Sequence, residues 1–256
     1  MQNVLNALRA LEEIAERQPI GVAELARAME LPKSSVQRSL LTLHEAGWIR
    51  PAAGAPTRWT VTAKALYVGR RATGELGLRD AAVPVMEELR RECGETVHLA
   101  VPEGDRVVLI ERLETSQPVR IVLPLGQDLP VHASANGKAI LAAGPMEAWE
   151  RRLTHDLAGF TPATITDPRR LRAELAEVRR RGYATNGGEW RADVSAVAAA
   201  VIGMDGLPVA SLSVNVPTSR MTAASGERFA AMVVVAAERL GRALGNNKSL
   251  SHEGSC

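Results

Sequence analysis

Cysteine, aromatic residues and long apolar runs are all scarce in this chain. Of 256 residues only two are cysteine, Cys93 and Cys256. Two thiols cannot build a disulfide framework or a cysteine-based zinc site, and a reduced, cytoplasmic setting is expected. Aromatic residues make up 3% of the chain, so aliphatic side chains must fill the core. The longest uncharged apolar stretch, residues 194–204, is well short of the ~20 residues a bilayer crossing needs, so no membrane partner is expected. A signal peptide is not expected either: the start lacks a basic lead, and Arg9, Glu12 and Glu13 interrupt any apolar segment.

Catalytic groupings are missing too. There is no HExxH and no G-x-S-x-G. The run Asn136-Gly137-Lys138-Ala139 lacks the upstream glycine and the Ser/Thr of a phosphate-binding loop. The histidines at 44, 98, 132, 155 and 252 do not have metal-ligand spacing. Cys93 and His98 form the one conceivable nucleophile pair, and Cys93 reads better as a packed residue at a helix end. No enzyme, no metal and no cofactor are expected.

What is present is an ordinary globular composition, 46% hydrophobic and 23% charged, long enough for one or two domains. The formal net charge of +2 is uneven. Residues 1–71 carry ten Lys/Arg against six Asp/Glu, and the remainder carries 21 against 23. A basic head on a mildly acidic body points to a polyanion partner.

In the head, Val4, Leu8, Leu11 and Ala15, widened by Leu5 and Ile14, predict an amphipathic first helix that Gln18-Pro19-Ile20-Gly21 ends. A short second helix is expected over 22–30, with Leu25, Ala26 and Met29 apolar. Pro32 then enforces a tight connection, and Ser34 is the expected cap of a third helix that Gly47 ends. Val36, Leu40 and Leu43 form one face of that helix. Ser34, Arg38 and Thr42 point the other way, flanked by Ser35 and Gln37. Hydroxyl, amide and guanidinium groups on the first two turns suit a DNA major groove, where Arg can grip guanine and Gln adenine. Lys33 adds a cation at the helix start. Trp48-Ile49-Arg50 and Arg58-Trp59-Thr60-Val61, joined by a Pro/Gly/Ala loop, predict a β-hairpin with Arg50 and Arg58 placed to straddle a phosphate strand. Helix, short helix, turn, helix and hairpin is the order of a winged helix-turn-helix.

At 22–49 the sequence VAELARAMELPKSSVQRSLLTLHEAGWI resembles the helix-turn-helix of the IclR family of bacterial transcription regulators. Beyond it, helices are expected at 62–71 and 78–93, with Gly74 and Gly77 loosening the chain between them. They form a linker region over 68–93 that either transmits a signal or only spaces two domains. Strands are expected at 96–101, 106–113, 119–123, 194–202 and 208–216, and helices at 134–143, 168–181 and 223–244. Asp167 and Gly182 are the expected caps of the second of these helices. Mixed strands and helices make residues 94–245 an α+β domain, and 246–256 reads as a disordered tail.

Chemistry alone places an anion site at the start of the helix that Ser134 caps. Its free N–H groups and Lys138 favour a carboxylate, although the Lys138 stem could equally cover apolar surface. The region 94–245 also resembles the IclR effector-binding domain, on Gly94-Glu95-Thr96-Val97, Val131 through Ala139, Arg181 through Asn186, Glu189 through Val201 and Val209 through Pro217. With the head, the resemblance covers residues 2–244. It implies a GAF-like fold with a central antiparallel sheet, a small-molecule effector, and contacts from Ser134, Ala135, Asn136, Gly137, Asn186, Ala196, Ser213 and Asn215. Ser213 and Asn215 alternate along one strand and share a face, with Ala210, Leu212 and Val214 expected to point outward. The residues depart from the family pattern at Ala196, Asp193, Ala200 and Asn186, where Cys, Gly, Pro and Asp are common, so the ligand's identity does not carry over. The resemblance further implies a homo-oligomer, dimer or tetramer, reading a pseudo-palindromic operator on double-stranded DNA, more often as a repressor than as an activator.

Overall fold

The computed structural model describes residues 2–54, 56–72, 76–154 and 156–252. The chain divides into two compact units, Met1–Leu76 and Gly77–Cys256.

In the first unit, helix α1 (Gln2–Arg17) packs on α3 (Lys33–Glu45), with α2 (Val22–Ala28) against both. The seam of α1 is Asn6, Ala10 and Ile14, spaced four apart. Val4, Leu5 and Leu8, on the apolar stripe expected for this helix, are exposed. Ala10, Ile14, Leu25, Val36, Leu40, Leu43 and Ile49 close the core instead. Ser34 is not the cap of α3: the helix starts one residue earlier, at Lys33, with Pro32 in the cap position. Gly47, at φ +75, ends α3, and Lys64 Nζ donates to the Ala46 carbonyl at 2.6 Å, setting a cation at the negative end of the helix. Strands β2 (Ile49–Pro51) and β3 (Arg58–Val61) form the expected hairpin. A third strand, β1 (Ile20–Gly21), pairs with β3 on its other side, so the segment that breaks α1 also edges the wing. Helix α4 (Lys64–Ala72) follows, and Gly74 lies outside the described residues.

The second unit opens with α5 (Leu76–Cys93). Leu78, Ala82, Val85, Met86 and Leu89 bury this helix in the core of the unit, so residues 77–93 belong to that unit's core and not to a linker. A six-stranded, wholly antiparallel sheet has the order β6-β5-β4-β9-β8-β7: β4 (Thr96–Glu103), β5 (Arg106–Leu113), β6 (Asp128–Leu129), β7 (Ala184–Gly187), β8 (Val194–Ile202) and β9 (Pro208–Pro217). One face carries α5 and α9 (Ala223–His252). The other carries α6 (Ala135–Ala143), α7 (Met146–Leu153) and α8 (Pro168–Arg181). Asp167 caps α8 by accepting from Arg169 N at 2.9 Å, and Gly182 stops it in the left-handed region, as expected. Residues 119–123 form no strand. Ile121 and Leu123 are buried there without a ladder partner, and the sheet is edged by β6 instead. Helix α9 continues to His252, past the tail boundary expected at 245, and residues 253–256 lie outside the described residues.

Strand β9 is covered on both faces. Ala210, Leu212, Val214 and Val216 point into the layer of α5 and α9, not outward as the sequence suggested. Leu212 is fully buried. Leu212→Ala is expected to cost about 2–5 kcal/mol of stability, the range for emptying a Leu site in a packed core. A urea titration checks this, and a loss below about 1 kcal/mol would contradict the two-sided burial.

Candidate functional site

Two sets of side chains stand out, one in each unit. On α3 the apolar face Val36, Leu40 and Leu43 anchors the helix, and the opposite face is open. Lys33, Ser34, Gln37, Arg38 and Thr42 are exposed, and Ser35 is half-buried. Neither Arg38 nor Arg50 has an ion-pair partner among the described residues. Thr42 Oγ1 donates back to the Arg38 carbonyl at 3.1 Å. Arg50 is exposed on β2.

Arg58 is placed differently from the sequence reading. Its guanidinium donates to both Glu24 oxygens at 3.3 and 2.7 Å and to the Pro19 carbonyl at 2.9 Å. That bidentate pair holds the Glu24 carboxyl below the usual carboxylate range and ties β3 to α2. The group expected to reach a phosphate is committed to the wing's own architecture.

The second set lies on the sheet face beneath α6. Directly opposed residues in an antiparallel pair share a face, so the register aligns the side chains in rows. Asn186, Ala196, Asn215 and Thr96 form one row across β7, β8, β9 and β4. Ala198, Ser213, His98 and Arg112 form the next across β8, β9, β4 and β5. Every effector residue named from the sequence on this face is buried, namely Asn186, Ala196, Ser213 and Asn215. Thr96, His98, Arg112 and Ser211 belong to the same face and were not singled out. The signal for Ser211 was available, since it continues the alternation of Ser213 and Asn215.

Helix α6 closes the site from above. Ser134 caps it, its Oγ accepting from Gly137 N at 3.0 Å, which leaves the N–H groups of Ala135 and Asn136 outside the helical ladder. The Asn136 side chain donates to Ser211 Oγ at 2.9 Å and so pins α6 to β9. A Cβ at Gly137 would meet the Val131 backbone at 2.5 Å, so only glycine lets the incoming loop pass this close. Asn215 Nδ2 donates to Ser213 Oγ at 2.8 Å, and Asn186 Oδ1 accepts from Glu189 N at 2.7 Å.

Lys138 is not an open anion ligand. It is almost wholly buried and donates to Glu189 at 2.7 Å and Glu174 at 3.4 Å, joining α6 to α8 and to the 188–190 loop. Burial pushes the Glu189 carboxyl up despite the neighbouring ammonium. Cys93 is buried, its thiol pushed up by desolvation, which argues against a nucleophile. No cluster of metal-ligating side chains occurs among the described residues, and no described helix is long and apolar enough to cross a membrane.

A winged helix with an open polar helix face, followed by a separate α/β unit whose sheet buries a polar face, defines a two-domain DNA-binding transcription regulator. The IclR helix-turn-helix domain matches residues 3–52, and the C-terminal domain of bacterial IclR transcriptional regulators matches residues 70–242. The transcriptional repressor IclR of Escherichia coli is 32% identical over 249 residues, covering 96% of this chain and 90% of that protein. The crystal structure of the Thermotoga maritima IclR superposes with a TM-score of 0.82 at 28% identity, covering 96% of this chain and all of that one. An IclR homologue of Microbacterium hydrocarbonoxydans, solved with 4-hydroxybenzoate, superposes at 0.79 with 27% identity, covering 94% and 99% of the two chains. The chain belongs to the IclR family of bacterial transcription regulators.

His98 offers a measurable consequence of this buried polar face. Full burial, with Arg112 opposite, lowers its pKa from 6.5 to about 3. The imidazole therefore stays neutral in the fold while an unfolded histidine takes a proton near 6.5, so acidification through this window favours unfolding. At about 1.4 kcal/mol per pKa unit, His98 accounts for several kcal/mol of the loss between pH 6.5 and 3. Chemical denaturation of His98→Asn across that range should show a shallower decline than the parent. An equal or steeper decline would contradict the assignment.

Proposed function

We propose that this regulator is a homo-oligomeric, cytoplasmic repressor that reads a pseudo-palindromic operator with α3. A small organic or aromatic acid bound beneath α6 would change its operator affinity. The observation that carries the sensing role is the sheet face under α6. Ser211 and Ser213 have no measurable exposure, and Asn215 has 6%, on strands whose opposite face is wholly aliphatic. Buried polar groups are costly unless they are hydrogen-bonded, and a face so dense in donors and acceptors suits a polar ligand. The apolar surround of Ala100, Leu109, Ile121, Leu123 and Val194 suits that ligand's hydrocarbon part. The two N–H groups at the start of α6 suit a carboxylate. The relative solved with 4-hydroxybenzoate supports an acid of this kind.

Lys33, Ser34, Ser35, Gln37, Arg38, Thr42 and Arg50 are the proposed DNA contacts. Arg58 supports the wing from behind. In the first unit, Val4, Leu5 and Leu8 on α1, Leu41 on α3 and Leu66 on α4 are exposed large apolar side chains, which favours cover by a second copy of the chain. A two-fold pair of α3 helices would meet half-sites about 34–36 Å per helical turn apart.

Arg38→Ala should weaken operator binding by about 1–3 kcal/mol, read by fluorescence anisotropy with the chain's own upstream DNA. Ser213→Ala and Asn215→Ala should leave binding without effector intact and blunt the response to acids that shift it. Unchanged affinity and sequence preference in Arg38→Ala would remove that residue from base readout. Loss of DNA binding in both sheet variants would assign Ser213 and Asn215 to the fold alone.

A further inference from the structure

A cavity lies beside α6, lined by Ile140, Leu141 and Gly144 of that helix and its C-cap and by Val131 of the loop that leads into it. It has a volume of about 380 Å³, within the range of small-molecule sites. Val107, Val131, Ile140 and Leu141 make its apolar floor, and Ala148 and Pro208 its sides. Its charged wall holds Arg106, Arg151 and Arg152 against one acid, Asp105. Arg106 is answered by Glu103 at 2.8 Å and Asp128 at 3.2 Å. Arg152 is not answered in this way. It makes no ion pair with a carboxylate among the described residues, and its buried Nε–H has no hydrogen-bond partner. Among the described residues its one hydrogen-bonding contact is Nη2 to His132 Nδ1 at 3.0 Å. Burial holds the His132 pKa below its ordinary value, which favours the neutral imidazole whose Nδ1 accepts from the guanidinium, and an imidazole supplies no negative charge to balance it. A half-buried cation beside an apolar floor, with an unsatisfied N–H, is complementary to a ligand with one anionic group and a hydrophobic body.

We infer that this cavity is a second small-molecule site, separate from the polar face beneath α6, that takes an amphipathic organic anion with its acid on Arg152 and its hydrocarbon body on Val107, Ile140 and Leu141. The site bears on the loop leading into α6. His132 accepts from Arg152 through Nδ1, so its Nε2–H donates to the Ala158 carbonyl at 2.9 Å, and two residues later Ser134 caps the helix. An anion that draws the Arg152 guanidinium away from His132 releases one of the two bonds that hold this imidazole.

The test uses 2-naphthoate as the probe on the full chain with methyl-labelled Ile, Leu and Val. Saturable binding is expected, with intermolecular NOEs to the methyls of Val107, Ile140 and Leu141. Arg152→Gln should weaken the affinity read at these three methyls tenfold or more, Arg152→Lys should restore part of it, and Ser213→Ala should leave the affinity read there within twofold. Thermal melts of each variant establish that it is folded. Three results would overturn the proposal: no binding at millimolar probe, an affinity that Arg152→Gln does not change, or NOEs confined to Leu109, Ile121 and Val194. The last would put the probe in the polar-face site and leave the sensing role of that site standing.

Discussion

Strand β9 sets the layout of the second unit because both of its faces are buried and only one is apolar. Ala210, Leu212, Val214 and Val216 lock it to α5 and α9, which fixes its register and orientation. With that register held, Ser211, Ser213 and Asn215 are forced onto the opposite face, beneath α6, and β4 and β8 contribute Thr96, His98 and Ala196 in the same rows. A slip of one residue would exchange the two sets and place three polar side chains in the aliphatic layer. The polar face is therefore held in place by the hydrophobic packing on the far side of the sheet. Lys138 adds a second constraint. Its ammonium, sequestered between Glu189 and Glu174, ties α6 to the loop and helix beside it, so the cap at Ser134 stands over the sheet in one position.

The same logic operates on a smaller scale in the first unit. Val36, Leu40 and Leu43 are held by Ala10, Ile14 and Leu25, and Ser34, Arg38 and Thr42 on the opposite side of α3 are exposed. The wing is braced by Arg58 on Glu24 and by the Pro19 carbonyl, which tie β1, β3 and the start of α2 together. Exposed ion pairs contribute little stability, and this one serves geometry more than energy.

Much of this was legible in the residues. Where local chemistry is self-contained, the reading and the structure agree: Asp167-Pro168 opens α8 and Gly182 ends it, and the hairpin from Ile49 to Val61 stands as expected. The failures have physical causes. Strands β1 and β6 are two residues each, too short for any periodicity to register. Residues 119–123 alternate as a strand does, yet they bury Ile121 and Leu123 with no neighbour to complete a ladder. The apolar stripe of α1 is only partly buried: Ala10 and Ile14 close the core while Val4, Leu5 and Leu8 are exposed, a split that helical periodicity alone does not reveal. Lys138 looked available because its partners, Glu174 and Glu189, are 36 and 51 residues away in sequence. Arg58 was misread for the same reason, since Glu24 precedes it by 34 residues. On the polar face, the family resemblance named Ser213 and Asn215, and alternation placed them on one side of their strand. His98 and Arg112 join them only through pairing of β4 with β5 and β9, which no single stretch of sequence reveals.

The central claim is that the polar face beneath α6 receives the molecule that controls operator binding. Ala196 lies in the row between Asn186 and Asn215, packed with Ala135 and Ala139 of α6, and a larger side chain there would crowd the gap between sheet and helix. Calorimetric titration of the parent and of Ala196→Leu with an acid that shifts operator affinity is the most direct measurement. The account predicts one acid bound per chain in the parent and none in the variant, with operator binding in the absence of acid retained. Equal uptake of the acid by both proteins would contradict it.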